Sequence, residues 1–178
     1  VGQGMVLVYT GDGKGKTTAS LGVTLRAIGR GMKVKYYQFI KSPERTYGEQ
    51  IALRKLGVEP VQLGVGFTWT KTPEEHRTAL FKAWQTVKAE LQNKNTDLVV
   101  LDELNNALSI TRFPIDDVLP LQDVLTAIQE RPKNMHLVIT GRNAHPSILA
   151  LADLVSTIDA TKHYYTDQNI NALKGLEF

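Results

Sequence analysis

Five apolar residues, Met5 to Tyr9, run directly into glycines at 11, 13 and 15 and then into Lys16, Thr17 and Thr18. Nothing else in the chain limits its folding so strongly. The pattern reads as a strand, a glycine loop and the start of a helix. Glycines at those three positions let backbone N–H groups converge on an anion without Cβ interference, and the helix that follows adds the positive end of its dipole. Lys16 supplies a mobile cation. Thr17 is spaced to put a hydroxyl on a phosphate-bound Mg²⁺. The general loop pattern has glycine at position 10, where this chain has Thr10. The expected ligand is a nucleoside triphosphate.

The rest of the chain alternates between two periods. Residues 16–29 carry Leu21, Leu25 and Ile28 at helical spacing up to a Gly-Arg-Gly stop, and 34–40 is rich in β-branched and aromatic residues, as in a buried strand. A short helix is expected over 48–56 and a strand over 59–63. Residues 72–92 open with Pro73, Glu74 and Glu75 and carry Leu80, Ala83, Trp84, Val87 and Leu91 on one stripe, which makes Trp84 a core residue. Residues 97–103 hold a four-residue apolar run that ends in Asp102 and Glu103, as in a strand buried on both faces. One or two helices interrupted at Pro120 are expected over 114–129, a strand over 135–140, a helix over 145–152 and a last strand over 154–158. The tail, 161–178, is polar. Strands alternating with helices predict an α/β chain with a mostly parallel sheet and helices on both faces, forming one domain over residues 1–178. In such a sheet ligands bind at the carboxyl ends of the strands, so Asp102, Glu103 and the cluster from Thr140 to Asn143 should share an edge with the glycine loop.

Composition narrows the partners. A net charge of +3 with pI near 9.1 suits an anionic ligand, but no basic block is long enough to track a nucleic-acid backbone. With no cysteine, disulfides, thiolate metal sites and cysteine nucleophiles are excluded. No apolar run approaches the roughly 18 residues of a membrane span and no signal-peptide pattern opens the chain, so a cytoplasmic location is expected. The chain starts at Val1 rather than methionine. Its four histidines are scattered without metal-ligand spacing. Glu103 stands open to two roles, as a base that orients water for ATP hydrolysis or as a ligand of Mg²⁺.

The segments 10–18, Arg26-Ala27-Ile28-Gly29, Gln38-Phe39-Ile40-Lys41, Gly66-Phe67-Thr68-Trp69, Leu101-Asp102-Glu103-Leu104 and Ile139-Thr140-Gly141-Arg142 together resemble the P-loop ATP:corrinoid (cob(I)alamin) adenosyltransferases. Thr10 in place of glycine is a habit of that family. The resemblance implies a P-loop NTPase-like, RecA-like fold. It also implies transfer of the 5′-deoxyadenosyl group of ATP to Co(I) of a corrinoid, with ATP lying reversed in its loop and inorganic triphosphate leaving. The acceptor would be cobalamin, cobinamide or cobyrinic acid a,c-diamide.

By the same resemblance, Thr10, Gly11, Asp12, Gly13, Lys14, Gly15, Lys16, Thr17 and Thr18 hold ATP, with Arg26 and Arg142 as further nucleotide contacts. Lys16 and Glu103 act in catalysis, Thr17 and Glu103 hold Mg²⁺ (or Mn²⁺), and Phe67 and Trp69 meet the corrinoid. A homodimer and a flavoprotein electron donor are also implied. Two departures stand out: Asp12 sits where asparagine is common, and the family's N-terminal extension is absent from the sequence, which predicts a less covered site. The loop and acidic pair would equally serve a P-loop ATPase, a small-molecule kinase or a non-catalytic nucleotide sensor, but those readings leave the Gly66-Phe67-Thr68-Trp69 loop without a role.

Overall fold

The computed structural model describes residues 2–66 and 70–178. Its strands are β1 (Val6–Thr10), β2 (Val34–Gln38), β3 (Pro60–Gln62), β4 (Leu98–Asp102), β5 (His136–Thr140) and β6 (Leu154–Thr157). Its helices are α1 (Lys16–Gly29), α2 (Gly48–Lys55), α3 (Pro73–Glu90), α4 (Leu104–Leu108), α5 (Leu121–Gln129), α6 (Pro146–Leu151) and α7 (Tyr164–Gln168). The strands form one sheet in the order β3-β2-β4-β5-β1-β6, and every pairing in it is parallel.

Side-chain alternation divides this sheet into two faces. In β4, Val99 and Leu101 point to one face and Leu98 and Val100 to the other, and all five residues of the strand are buried. The first face is covered by α3, α4, α5 and α6 through Leu80, Trp84, Val87, Leu104, Ala107, Val124, Ile128 and Ile148. The second is covered by α1 and by the α2 region, through Ala27, Leu53 and Val58. Trp84 is fully buried, and its indole N–H donates to Asp123 Oδ2 at 2.8 Å. On the opposite face, Ser20 Oγ lies 2.8 Å from the Tyr36 hydroxyl and ties α1 to β2.

Register brings polar residues to one edge. Gln38 pairs with Asp102 and with Gln62, Tyr9 with Thr140, and Thr10 with Thr157. Because the strands are parallel, these carboxyl-terminal polar residues share the edge from which the glycine loop emerges.

Three local expectations change. Residues 114–119 are irregular around a turn at 116–118 and only Leu121–Gln129 is helical, because Pro120 is the N-cap and closes off any helix from the preceding side. β2 ends at Gln38 rather than at residue 40. The polar tail carries the short helix α7, capped by His163 Nδ1, which accepts from Tyr165 N at 3.0 Å. His136 and His145 likewise accept backbone N–H bonds, from Met5 and Ser147, so three of the four histidines serve the backbone.

Candidate active site

The loop from Gly11 to Gly15 curls between β1 and α1 against the end of β6. Gly13 N donates to Ile158 O at 2.7 Å. Gly11 has φ of 106°, and a Cβ there would run into the carbonyl oxygen of Ile158. At the start of α1, Gly15 is the N-cap with no side-chain cap and no acidic residue in the first turn. Among the described residues the first N–H groups of α1 therefore have no side-chain acceptor, and with the helix dipole they form an anion seat. Lys16 Nζ donates to Gly13 O at 2.7 Å, which folds the ammonium over the loop. Burial, and then the Arg142 guanidinium, pull its pKa below the ordinary lysine value, against opposing pulls from Asp12 and Glu103.

Facing the loop, the end of β4 carries a carboxylate with no exposed surface. Asp102 Oδ1 accepts from Thr17 Oγ1 at 2.8 Å and from Thr140 Oγ1 at 2.7 Å. Its Oδ2 accepts from Lys41 Nζ at 2.8 Å and from Gln38 Nε2 at 3.2 Å. Burial alone would lower the Lys41 pKa, but Asp102, Glu103 and Glu49 together hold it above the ordinary lysine value. This buried charge is therefore paired and fully hydrogen-bonded, as a buried carboxylate must be.

Glu103 has a different environment. It adopts φ of 62° as the N-cap of α4, a left-handed conformation rare outside glycine, and its N–H donates to Thr140 Oγ1 at 2.9 Å. Its side chain lines the main cavity, and among the described residues no hydrogen bond reaches its carboxylate. Burial, followed by the neighbouring Asp102, raises its pKa, while Lys41 and Lys16 act the other way.

The cavity holds about 670 Å³ and is lined by Lys14, Lys16, Thr17, Thr18, Lys41, Glu103 and Arg142, with Leu21 and Ala52 on its apolar side. Its volume falls within the range of small-molecule sites. α4 fixes the Gly141-Arg142 turn from below: Asn105 Nδ2 donates to Gly141 O at 3.1 Å, and Asn106 Oδ1 accepts from Arg142 N at 3.0 Å. Gly141 has φ of 129°, and a Cβ on it would strike Asn106 Oδ1.

Of the residues expected from the sequence, Gly15, Lys14, Lys16, Thr17, Thr18, Glu103 and Arg142 converge on this cavity. Asp12 and Gly13 line an adjoining hollow together with Lys16 and Arg142, so the acidic Asp12 helps to balance the lysine rather than facing away. Three residues line neither hollow, and the first of them, Gly11, packs against Ile158 instead. Thr10 is buried, and its Oγ1 accepts from Ala144 N at 3.4 Å. Arg26 is exposed in the last turn of α1, about 15 Å along the axis from Lys16 by helical rise, and does not line the cavity. Phe67 and Trp69 lie outside the described residues.

Several contributors were not assigned from sequence. Asp102 was visible as half of the acidic pair and Lys41 stood in the Gln38-Phe39-Ile40-Lys41 segment, but only the fold shows that they meet. Asn105, Asn106 and residues 175–178 gave no local signal.

The family model for ATP:corrinoid adenosyltransferase BtuR/CobO/CobP matches residues 2–178. The chain belongs to the ATP:corrinoid adenosyltransferase family. It is 40% identical over 177 residues to the corrinoid adenosyltransferase of Escherichia coli K12, a match that spans 99% of this chain and 86% of that one. It is 39% identical to the corrinoid adenosyltransferase of Pseudomonas aeruginosa, covering 99% of this chain and 84% of that protein. Among solved structures, the flagellar accessory protein FlaH of Methanocaldococcus jannaschii superposes with a TM-score of 0.53 at 11% identity, over 88% of this chain and 72% of that one. The KaiC-like protein PH0186 of Pyrococcus horikoshii gives 0.51 at 13% identity with the same coverage. At these identities the likeness is one of fold, and the adenosyltransferase chain has the RecA-like α/β architecture of P-loop NTPases.

Proposed function

We propose that this chain transfers the 5′-deoxyadenosyl group of ATP to the Co(I) centre of a corrinoid and releases inorganic triphosphate. In this reaction a cobalt electron pair forms the Co–C5′ bond while the C5′–O bond breaks and its pair leaves with the triphosphate. No proton has to be removed from the nucleophile. The observation that carries the reading is family membership along the whole chain, joined to a glycine loop whose Lys16, Thr17 and uncapped α1 start all meet one cavity. That chemistry needs a polyanion seat and a stabilised leaving group more than it needs a base.

Within this reading the triphosphate takes the N–H groups at the start of α1, with Lys16 and Arg142 on its flanks. Mg²⁺ fits the oxygen donors present. Thr17 donates its proton to Asp102 and so keeps lone pairs for a cation, and the Glu103 carboxylate is not engaged in hydrogen bonds among the described residues. Asp102, which already accepts four hydrogen bonds, serves as the anchor of Thr17 rather than as a ligand. When bound, Mg²⁺ would screen the triphosphate charge. The assignment of Phe67 and Trp69 to the corrinoid, the homodimer, the flavoprotein donor and the cytoplasmic location rest on the family resemblance and on composition.

Product analysis tests the proposal. With ATP, Mg²⁺ and chemically reduced corrinoid, inorganic triphosphate and adenosylated corrinoid should form in equal amounts. ADP or orthophosphate as the phosphorus product would instead place the chain among the kinases or ATPases.

A further inference from the structure

The last described residues close over the phosphate loop. Lys14 Nζ lies 3.0 Å from Glu177 Oε1, and the Glu177 side chain is only 18% exposed. The second carboxylate oxygen of Glu177 accepts from Leu173 N, while Glu177 N donates to Leu173 O at 2.9 Å. The carboxylate is thus fixed by its own segment on one side and by the phosphate-loop lysine on the other. Next to it, the Phe178 ring lies 4.6 Å from the Arg45 guanidinium, which also faces the Tyr47 ring at 5.3 Å. The Arg45–Phe178 contact holds residues 173–178 to the loop before α2, and residues 175–178 line the same cavity as Lys16, Thr17 and Glu103.

A carboxylate on the wall of a polyanion site opposes the charge that the site is built to hold, unless it has a separate purpose. Here it occupies a lysine whose backbone belongs to the phosphate cradle. We infer that Glu177 is an internal competitor for Lys14. Triphosphate and the Glu177 carboxylate exchange for the same ammonium, so the 173–178 strap lowers affinity for the triphosphate group and speeds its departure as product. Lys14 passes from Glu177 to a phosphate oxygen as the ligand enters, and the strap loosens at that end while Arg45 keeps hold of Phe178. No bond is made or broken in this exchange. The inference rests on the reading that the triphosphate lies in the glycine loop.

The test uses inorganic triphosphate and ATP as separate probes in calorimetric titrations of the full chain. E177Q keeps an oxygen for Leu173 N but loses the charge, and should tighten both ligands about two- to fivefold, the range for a part-exposed ion pair. In a Lys14→Met background the same change should have no effect. Hydrogen exchange at residues 173–178 should quicken in the wild type when triphosphate binds. Unchanged or weaker triphosphate binding by E177Q, in a protein whose binding weakens about tenfold or more on Lys16→Ala, overturns the competitor role and leaves the loop reading standing. If Lys16→Ala binds triphosphate as well as wild type, the loop reading falls and this inference falls with it.

Discussion

The Thr17 hydroxyl donates to Asp102 Oδ1 at 2.8 Å and so joins the first turn of α1 to the end of β4 across the sheet edge. Asp102 is also the partner of Lys41, whose side chain is only 12% exposed. Asp102→Ala should therefore cost about 3–5 kcal/mol in denaturant unfolding, because it leaves a buried ammonium without its counter-charge. ATP affinity should fall in parallel as Thr17 loses its anchor. Asp102→Asn keeps the shape and should recover part of the stability but little of the activity. A midpoint unchanged in Asp102→Ala would contradict the anchoring role.

Glu103 should show the opposite balance. Its pKa is raised in the fold, chiefly by burial and then by Asp102, so the folded state holds its proton more tightly than the unfolded chain does. Above the folded pKa the carboxylate is ionised in both states and the fold bears the full penalty. Below the unfolded pKa it is protonated in both and the penalty vanishes. Glu103→Gln without added metal should then melt higher than wild type at neutral pH, and the gain should shrink as the pH falls through the carboxylate range. Turnover should drop sharply, with partial recovery at high Mg²⁺ or Mn²⁺. A variant that melts lower at neutral pH would show that the carboxylate is not strained by its surroundings.

Gly141→Ala tests the turn that carries Arg142. With φ of 129° and Asn106 Oδ1 in the path of a Cβ, the change should cost about 1–3 kcal/mol and shift Arg142. The KM for ATP should rise more than that for the corrinoid. Equal rises in both would mean that Arg142 does not act through the nucleotide.

The nucleotide and corrinoid ends should separate under mutation. Lys16→Ala removes a charge-assisted contact worth about 1.5–3 kcal/mol, tenfold or more in ATP affinity, and should spare corrinoid binding. Trp69→Ala and Phe67→Ala should do the reverse, with the largest loss when Co(II) corrinoid meets a weak reductant and recovery when Co(I) is supplied. Electron paramagnetic resonance of the ATP complex with Co(II) corrinoid is the check: a four-coordinate signal of equal size in wild type and variants would remove both aromatics from the role.

The parts of this architecture that could be read from the sequence are those set by local repetition. β4 announced itself because a strand covered on both faces needs apolar residues in succession, and α3 because Pro73, Glu74 and Glu75 open it before an apolar stripe. The segment before Pro120 misled, since its Ile115, Val118 and Leu119 bury against the core from irregular backbone around a turn and not from a helix. Arg26 sat beside glycine and apolar residues in a family-like segment, but helical rise carries it away from the loop. Glu177 was beyond reach: 163 positions separate it from Lys14, and nothing in the acid's immediate neighbours marks it as a partner for the loop. Asn105 and Asn106 likewise acquire meaning only when β5 delivers Gly141 to the side of α4.

β6 stands at the border of the sheet with Leu154 and Val155 42% and 44% exposed, and its backbone beyond β1 has no neighbour among the described strands. The residue just past it, Ile158, supplies the carbonyl that receives Gly13 N, and Gly11 and Gly13 rest directly against it. The outermost strand is thus the backrest of the phosphate loop. A charged residue at Val155, or any chain that zips onto that open border, would tilt the backrest and register at the nucleotide as a change in grip, although it touches no atom of the cavity.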